Sequence, residues 1–248
     1  MNGVSRVVMA WVLASSLLAG CATTPVVKPA DVLYKEAEVL FQDKSYEEAI
    51  TQYKKVKETY ESAELSTKAE LRIADAYFLN KDYIEAAAGY EDFRKMHPKH
   101  LQAEYALFRQ AVSYFNQIHG IDTDQTPVKN ALATFDSYLI LFPAGANQAE
   151  VRDKRSECRD KQLQYELYVG KFYLKTDAHK AAIGRFEEAL KNFSEQKRRD
   201  EVLYYLRKAY LETKQNEKGD EIVVRLGKEF PDSTFLARIR EEMGVQKK

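Results

Sequence analysis

Cysteine, histidine, glycine and proline are all scarce in this chain, at 2, 4, 10 and 6 of 248 residues. Two cysteines exclude a disulfide-built scaffold, and four scattered histidines, His97, His100, His119 and His179, leave little for a metal centre. His97-x-x-His100 straddles Pro98, where a helix should end, and lacks further ligands nearby, so a surface turn is expected there and no metal site. None of the glycines stands in a G-x-G-x-x-G or G-x-x-x-x-G-K-[ST] setting, which removes the usual phosphate cradles. An excess of one charge sign is missing too: 38 Lys plus Arg face 38 Asp plus Glu. A neutral chain has no electrostatic footprint for nucleic acid or for adsorption to an anionic bilayer. With no convergent acid, base or nucleophile, catalytic residues and cofactors are expected to be absent, and a non-enzymatic protein follows. What is abundant is 45% hydrophobic, 12% aromatic and 31% charged residues, enough for a sizeable core with a charged exterior.

The first twenty residues differ from the rest. Arg6 is their only charge; an apolar run from Val7 to Ala14 follows, then Ser15-Ser16-Leu17-Leu18 and the small pair Ala19-Gly20 before Cys21. A basic start, an apolar stretch too short to span a bilayer and a small-residue cleavage site describe an export signal over 1–20. Leu18-Ala19-Gly20-Cys21 resembles a bacterial lipobox, which implies cleavage before Cys21 and acylation of that cysteine. Ala22 after it, rather than Asp, favours the outer membrane by the same resemblance. Cleavage removes Arg6 and no acid, leaving 37 basic against 38 acidic groups, so membrane attachment would depend on lipid and not on net charge. Cys158 is then the sole thiol, expected as a buried small hydrophobe within a helical pattern. Residues 21–30, with Pro25 and Pro29, read as a lipidated cysteine and a flexible, extended tether.

Beyond the tether the chain repeats itself. Tyr46-Glu-Glu-Ala49-Ile-Thr-Gln-Tyr53 recurs 37 residues later as Tyr83-Ile-Glu-Ala86-Ala-Ala-Gly-Tyr90, with fainter copies at Ala131-Leu-Ala-Thr-Phe135 and Ala182-Ile-Gly-Arg-Phe186. Each follows another amphipathic helix carrying a small residue and then a larger one: Ala37/Leu40, Ala74/Tyr77, Ala111/Tyr114, Gly170/Tyr173. The pattern resembles the tetratricopeptide repeat, whose small residues let paired antiparallel helices approach. Pro98 and Pro143 stand where that family ends its second helix. A fifth unit, Leu206 to Pro231, has Arg207 where a small residue is expected. The fold expected is therefore all-α, a solenoid of about five helical hairpins: repeats 1–3 over 31–145, repeats 4–5 with a capping helix over 146–248. Repeat three carries eight additional residues within Ile118 to Pro127, and Gln148 to about Leu174 reads as one long connecting helix with Glu150/Lys154 and Glu157/Lys161 at i,i+4.

Stacked first helices of such a solenoid line a concave groove suited to peptides. Projecting groove positions onto repeats 1–3 selects Tyr34, Phe41, Leu71, Phe78, Tyr105, Phe108 and Phe115 as a candidate peptide groove. An aromatic stripe at helical spacing equally describes a packed core, and both readings stand.

Lipobox, proline-containing tether, five degenerate repeats, the His97-Pro98 helix end before Tyr105-Ala-Leu-Phe-Arg-Gln-Ala-Val-Ser-Tyr-Phe115, and Arg155-x-x-Cys158-x-x-x-Leu-x-x-Tyr165-Glu166-x-x-Val169-Gly-x-Phe172-Tyr173 together resemble the BamD family, lipoproteins of the β-barrel assembly machinery. The resemblance covers nearly the whole mature chain. It implies a scaffold anchored by lipid to the outer membrane and facing the periplasm. It further implies docking on a POTRA domain of BamA, recruitment of unfolded outer-membrane proteins through their C-terminal β-signal, and association with other lipoproteins of that machinery. In the family an exposed Arg on the second helix of repeat four pairs with an acid of the POTRA domain nearest the barrel; the matching position is Arg185. Lys191, Lys197, Arg198 and Arg199 would extend that surface. A pilotin-type lipoprotein serving secretin assembly is the alternative.

Overall fold

The computed structural model describes residues 28–244, so the lipobox, Cys21 and most of the tether lie outside the described residues. Eleven α-helices and no strand are found among them: α1 Ala30–Gln42, α2 Tyr46–Glu58, α3 Ala63–Leu79, α4 Tyr83–Met96, α5 Ala103–Asn116, α6 Thr126–Leu141, α7 Gln148–Lys175, α8 His179–Asn192, α9 Arg199–Glu212, α10 Asn216–Glu229 and α11 Thr234–Glu242. Each helix packs on the next, and odd-numbered helices also meet, α1 with α3, α5 with α7, α7 with α9 and α9 with α11. This is the all-α stack of five hairpins expected from the repeats, with α11 closing the end.

The hairpin turns are built without glycine. Lys44, Lys81, Asp177 and Lys214 adopt left-handed φ of 62°, 69°, 59° and 60° in the three-residue links of repeats 1, 2, 4 and 5. In each, the following residue's N–H reaches back to a carbonyl five positions earlier at 2.9 Å, for example Asp82 to Tyr77 and Gln215 to Tyr210. That bond pattern satisfies the last helical carbonyls and reverses the chain. In repeat three the link is instead residues 117–125, nine residues long, which takes up six of the eight additional residues, while the other two extend the start of α6. At the other end of the hairpins, α4, α6 and α10 each stop two residues before Pro98, Pro143 and Pro231. Proline restricts the residue before it to extended conformations, so the helix cannot run through.

Small residues set helix separation as the repeat demands. Ala37, Ala49, Ala74, Ala86, Ala111, Ala131 and Ala182 are all fully buried. A Cβ on Gly170 would lie 2.2 Å from the Phe186 ring, so only glycine admits that contact between α7 and α8. Arg207, where the fifth repeat departs from small, is buried with its guanidinium 3.6 Å from Glu242 of α11. The closing helix thus supplies the charge that this position requires.

α7 serves two cores. Val151 and Cys158 belong to the cluster of Leu107, Ala111, Phe135 and Tyr138, whereas Leu163 and Leu167 belong to the cluster of Phe186, Leu203, Leu226 and Leu236. Leu163 lies five positions after Cys158, and at 3.6 residues per turn the buried stripe rotates by about 140° there. The hydrophobic division therefore falls inside α7, between Cys158 and Leu163.

Candidate functional site

The face built from α1, α3 and α5 carries most of the expected groove residues, but not as a bare aromatic surface. Phe41 lies under the Arg72 guanidinium, 4.7 Å from ring centroid, and Phe78 under that of Arg109 at 3.5 Å. Phe115 is covered by the Lys154 ammonium at 4.6 Å. In each case the ring comes from one odd-numbered helix and the cation from the next. Cation–π attraction of this kind contributes about 0.5–2 kcal/mol, depending on desolvation.

The cations are held by a second set of residues. Glu38 accepts from Arg72 Nε and Nη2 at 2.9 and 3.0 Å and from the Tyr53 hydroxyl at 2.6 Å. In the next repeat Asp75, only 8% exposed, accepts from the Tyr90 and Tyr105 hydroxyls at 2.7 and 2.8 Å, and Arg109 Nε donates to Tyr90 at 3.4 Å. Glu38 and Asp75, Phe41 and Phe78, Tyr53 and Tyr90, and Arg72 and Arg109 are all 37 residues apart. Asp75 is one methylene shorter than Glu38, and a second tyrosine, Tyr105, takes the place that a bidentate arginine fills on Glu38.

The pKa values of these two equivalent carboxylates are shifted in opposite directions. Burial raises the Asp75 carboxyl above its ordinary range, outweighing the tyrosine hydrogen bonds and the charges of Arg72 and Arg109. Burial also acts on Glu38, but hydrogen bonds from Tyr53 and Arg72 and the Arg72 charge prevail and hold it below the usual value. Burial and the Asp75 charge push Tyr105 up to about 12.

The other expected groove residues divide. Tyr34 sits edge-on to Tyr53 at 5.5 Å, half-buried, and Leu71 packs against the Tyr90 and Phe93 cluster. Tyr105 is half-buried with its hydroxyl committed to Asp75. Phe108 departs from the expectation: at 8% exposure it packs beside Tyr138 in the third-repeat core, so it offers no ring to a groove. The reason is positional, since α5 is covered by α6 and α7 on the side where Phe108 points. The Arg72 and Arg109 caps were not selected from sequence, although their shared 37-residue interval carries the signal.

On the second hairpin block, Arg185 of α8 donates to Glu166 of α7 at 3.0 Å and remains one-third exposed. Burial alone would lower its pKa, but Glu166 and Tyr173 keep the guanidinium firmly charged. Tyr168 and Phe172, one helical turn apart on α7, are exposed large aromatics. Of the basic residues near it in sequence, Arg198 pairs with Asp160 at 3.2 Å and Arg199 with Glu229 at 2.8 Å. Cys158 is buried, its thiol pushed up to about 12 by desolvation, which makes it a poor nucleophile. His97 bonds Glu70 at 2.7 Å, and among the described residues no cluster of His, Cys, Asp or Glu is arranged to hold a metal ion. No described helix is long and apolar enough to cross a membrane.

The family model "YfiO: Outer membrane lipoprotein" matches residues 27–224. Curated relatives named outer membrane protein assembly factor BamD include one from Caulobacter vibrioides, 28% identical over 237 residues and covering 93% of this chain and 78% of the relative. Another, from Rickettsia prowazekii, is 27% identical and covers 94% of both. That of Vibrio cholerae is 29% identical over 73% of this chain and 80% of its own. Among solved structures, the TPR2AB domain of yeast Sti1 in complex with an HSP90 peptide aligns over 87% of this chain and 86% of that one, with TM-score 0.45 and 14% identity. With the match spanning the tether end and nearly all the repeats, this chain belongs to the YfiO family of outer membrane lipoproteins.

Proposed function

We propose that the chain is a lipid-anchored, non-catalytic scaffold on the periplasmic face of the outer membrane that assists assembly of β-barrel proteins there. The observation that carries this reading is the family match over 27–224, immediately following a lipobox at Leu18 to Cys21. The assembly role named for the relatives extends it to function. In this reading acyl chains at Cys21 supply attachment. Arg185, held by Glu166 and Tyr173 of α7, forms the contact with a POTRA domain of BamA. Arginine and aromatics dominate binding energy at protein interfaces, and a guanidinium engages a carboxylate in two places. Glu166 holds Arg185 extended before the partner arrives and is exchanged for, or shares it with, the partner's acid.

The α1–α3–α5 face suits the C-terminal β-signal of an unfolded barrel protein. Rings at Phe41 and Phe78 offer stacking for its terminal aromatic, and Arg72 and Arg109 offer charge for its carboxylate. Affinity purification from solubilised outer membranes tests the reading. Wild type is expected to bring down BamA, and Arg185→Glu to lose it at least about tenfold through charge reversal at the contact. A crosslinking group at Phe41 or Phe78 is expected to trap a β-signal peptide. Undiminished BamA recovery with Arg185→Glu removes the contact assigned to Arg185; recovery of a secretin in place of BamA overturns the scaffold's assignment.

A further inference from the structure

The turns that follow even-numbered helices lie along one edge of the stack, and the chain enters the fold at that edge. Ala30 N–H donates to Glu61 in the α2–α3 turn at 2.8 Å. Glu70 then links Lys57, at the end of α2, to His97, just past α4, at 3.2 and 2.7 Å. Further along, Glu104 in the first turn of α5 accepts from Tyr138 of α6 at 2.6 Å and from Ala146 N–H in the α6–α7 turn at 2.8 Å.

This edge carries unusual exposed apolar groups. Tyr60 is 91% exposed, Leu101 97% and Ile140 77%, with Met96 and Leu141 also exposed beside them. Residues 140–147, Ile-Leu-Phe-Pro-Ala-Gly-Ala-Asn, include no charge, and around Leu101 stand Lys99 and Lys95, the latter paired with Glu91 of α4. The corresponding turns after α8 and α10 are clothed in ion pairs, Arg159 with Glu195 at 2.7 Å and Arg199 with Glu229 at 2.8 Å. Their large side chains, Phe193 and Phe230, are buried and half-buried.

We propose that the edge bearing Tyr60, Leu101 and Ile140 rests in the interfacial layer of the bilayer that holds Cys21. The inference depends on the lipid anchor of the preceding section. Six residues separate Cys21 from Lys28, and even fully extended they reach only about 20–25 Å. The start of α1, and with it this edge, is thereby confined to the neighbourhood of the membrane. Exposed aliphatic side chains, a tyrosine and the Lys99 ammonium suit the headgroup boundary, where apolar tips enter the acyl region and ammonium groups meet anionic phosphates. A protein partner would normally find a polar, hydrogen-bonding rim around the apolar centre. Residues 140–147 provide no charged rim.

The mature chain has no tryptophan, because Trp11 lies in the signal, so single tryptophans report cleanly. Leu101→Trp, Ile140→Trp and, as control, Val224→Trp on α10 are introduced into the lipidated protein in vesicles of phosphatidylethanolamine and phosphatidylglycerol. Brominated acyl chains are expected to quench the first two by roughly half or more and to leave Val224→Trp unchanged, as interfacial seating requires. Protein that floats with the vesicles while Leu101→Trp and Ile140→Trp stay unquenched overturns the edge contact and leaves the anchor standing. Protein that does not float overturns both. Shielding of Leu101→Trp from iodide only after solubilised outer-membrane proteins are added assigns the edge to a protein and likewise overturns the proposal.

Discussion

The two halves of the stack are held together differently. From α1 to α5, successive hairpins are joined by a repeated polar and aromatic unit: a carboxylate, a tyrosine, and an arginine lying on the preceding repeat's phenylalanine. From the second half of α7 to α11, a single apolar cluster runs from Leu163 to Ile239. Apolar burial is undirected and tolerates variation in what faces it, whereas a charge-assisted network specifies register but becomes costly when any member is left unsatisfied. The first half therefore has charged interfaces whose carboxylates respond to pH, and the second has a core that responds chiefly to volume.

The greatest contrast should come from removing one ring in each half. Phe186 is fully buried and stacks on Tyr205, so Phe186→Ala should cost about 3–5 kcal/mol, read as loss of amide-exchange protection in α8 to α10. Phe78→Ala, at a half-buried ring under Arg109, should cost only about 1–2 kcal/mol. Equal costs would erase the distinction drawn between the halves.

A smaller and more diagnostic effect concerns pH. Glu38, whose folded pKa is depressed, contributes stability that is present above the ordinary carboxyl range and lost as pH falls through its folded value. Glu38→Gln should thus be most harmful near neutrality, with a penalty that shrinks in acid. Asp75, raised by burial, favours the fold most below its ordinary pKa, and that advantage is lost as pH rises through the folded value. Relative to wild type, Asp75→Asn should therefore look worse in acid than at neutral pH. Denaturant titrations of both variants from acid to neutral pH check the opposite slopes; slopes of the same sign would show the two repeats to be electrostatically equivalent after all.

Least in size is the turn effect. Lys81 holds a φ of 69° that a side chain disfavours, so Lys81→Gly should stabilise the second hairpin by about 0.5–1 kcal/mol. A loss of stability on thermal unfolding would mean that the Lys81 side chain contributes more than its backbone costs.

Much of this architecture was legible in the residues. The 37-residue recurrence, the small residues at matched places and the helix-ending prolines correspond to hairpins, because close helix approach and helix termination are local demands that particular residue types meet. Cys158 was readable as buried for the same reason. The long helix α7 was readable as a helix, but the place where it changes cores was not: its buried stripe turns through about 140° between Cys158 and Leu163, and a single amphipathic period does not describe it. The turn residues in left-handed conformation, lysine and aspartate in place of glycine, gave no compositional signal.

Sequence alone determined the repeat, the number of hairpins, the insertion in the third and the candidate signal before Cys21, all of them carried by residues close in the chain. Tertiary structure decided which aromatics face outward. Phe41, Phe78 and Phe115 stand 37 residues apart and each carries a cationic cap, whereas Phe108, which falls at the positions of Tyr34 and Leu71, is sealed against Tyr138. It also decided that the exposed apolar groups at Tyr60, Leu101 and Ile140 share the edge where the tether arrives. Helical periodicity assigns a side chain to a face, but what covers that face depends on elements brought there by packing from elsewhere in the chain.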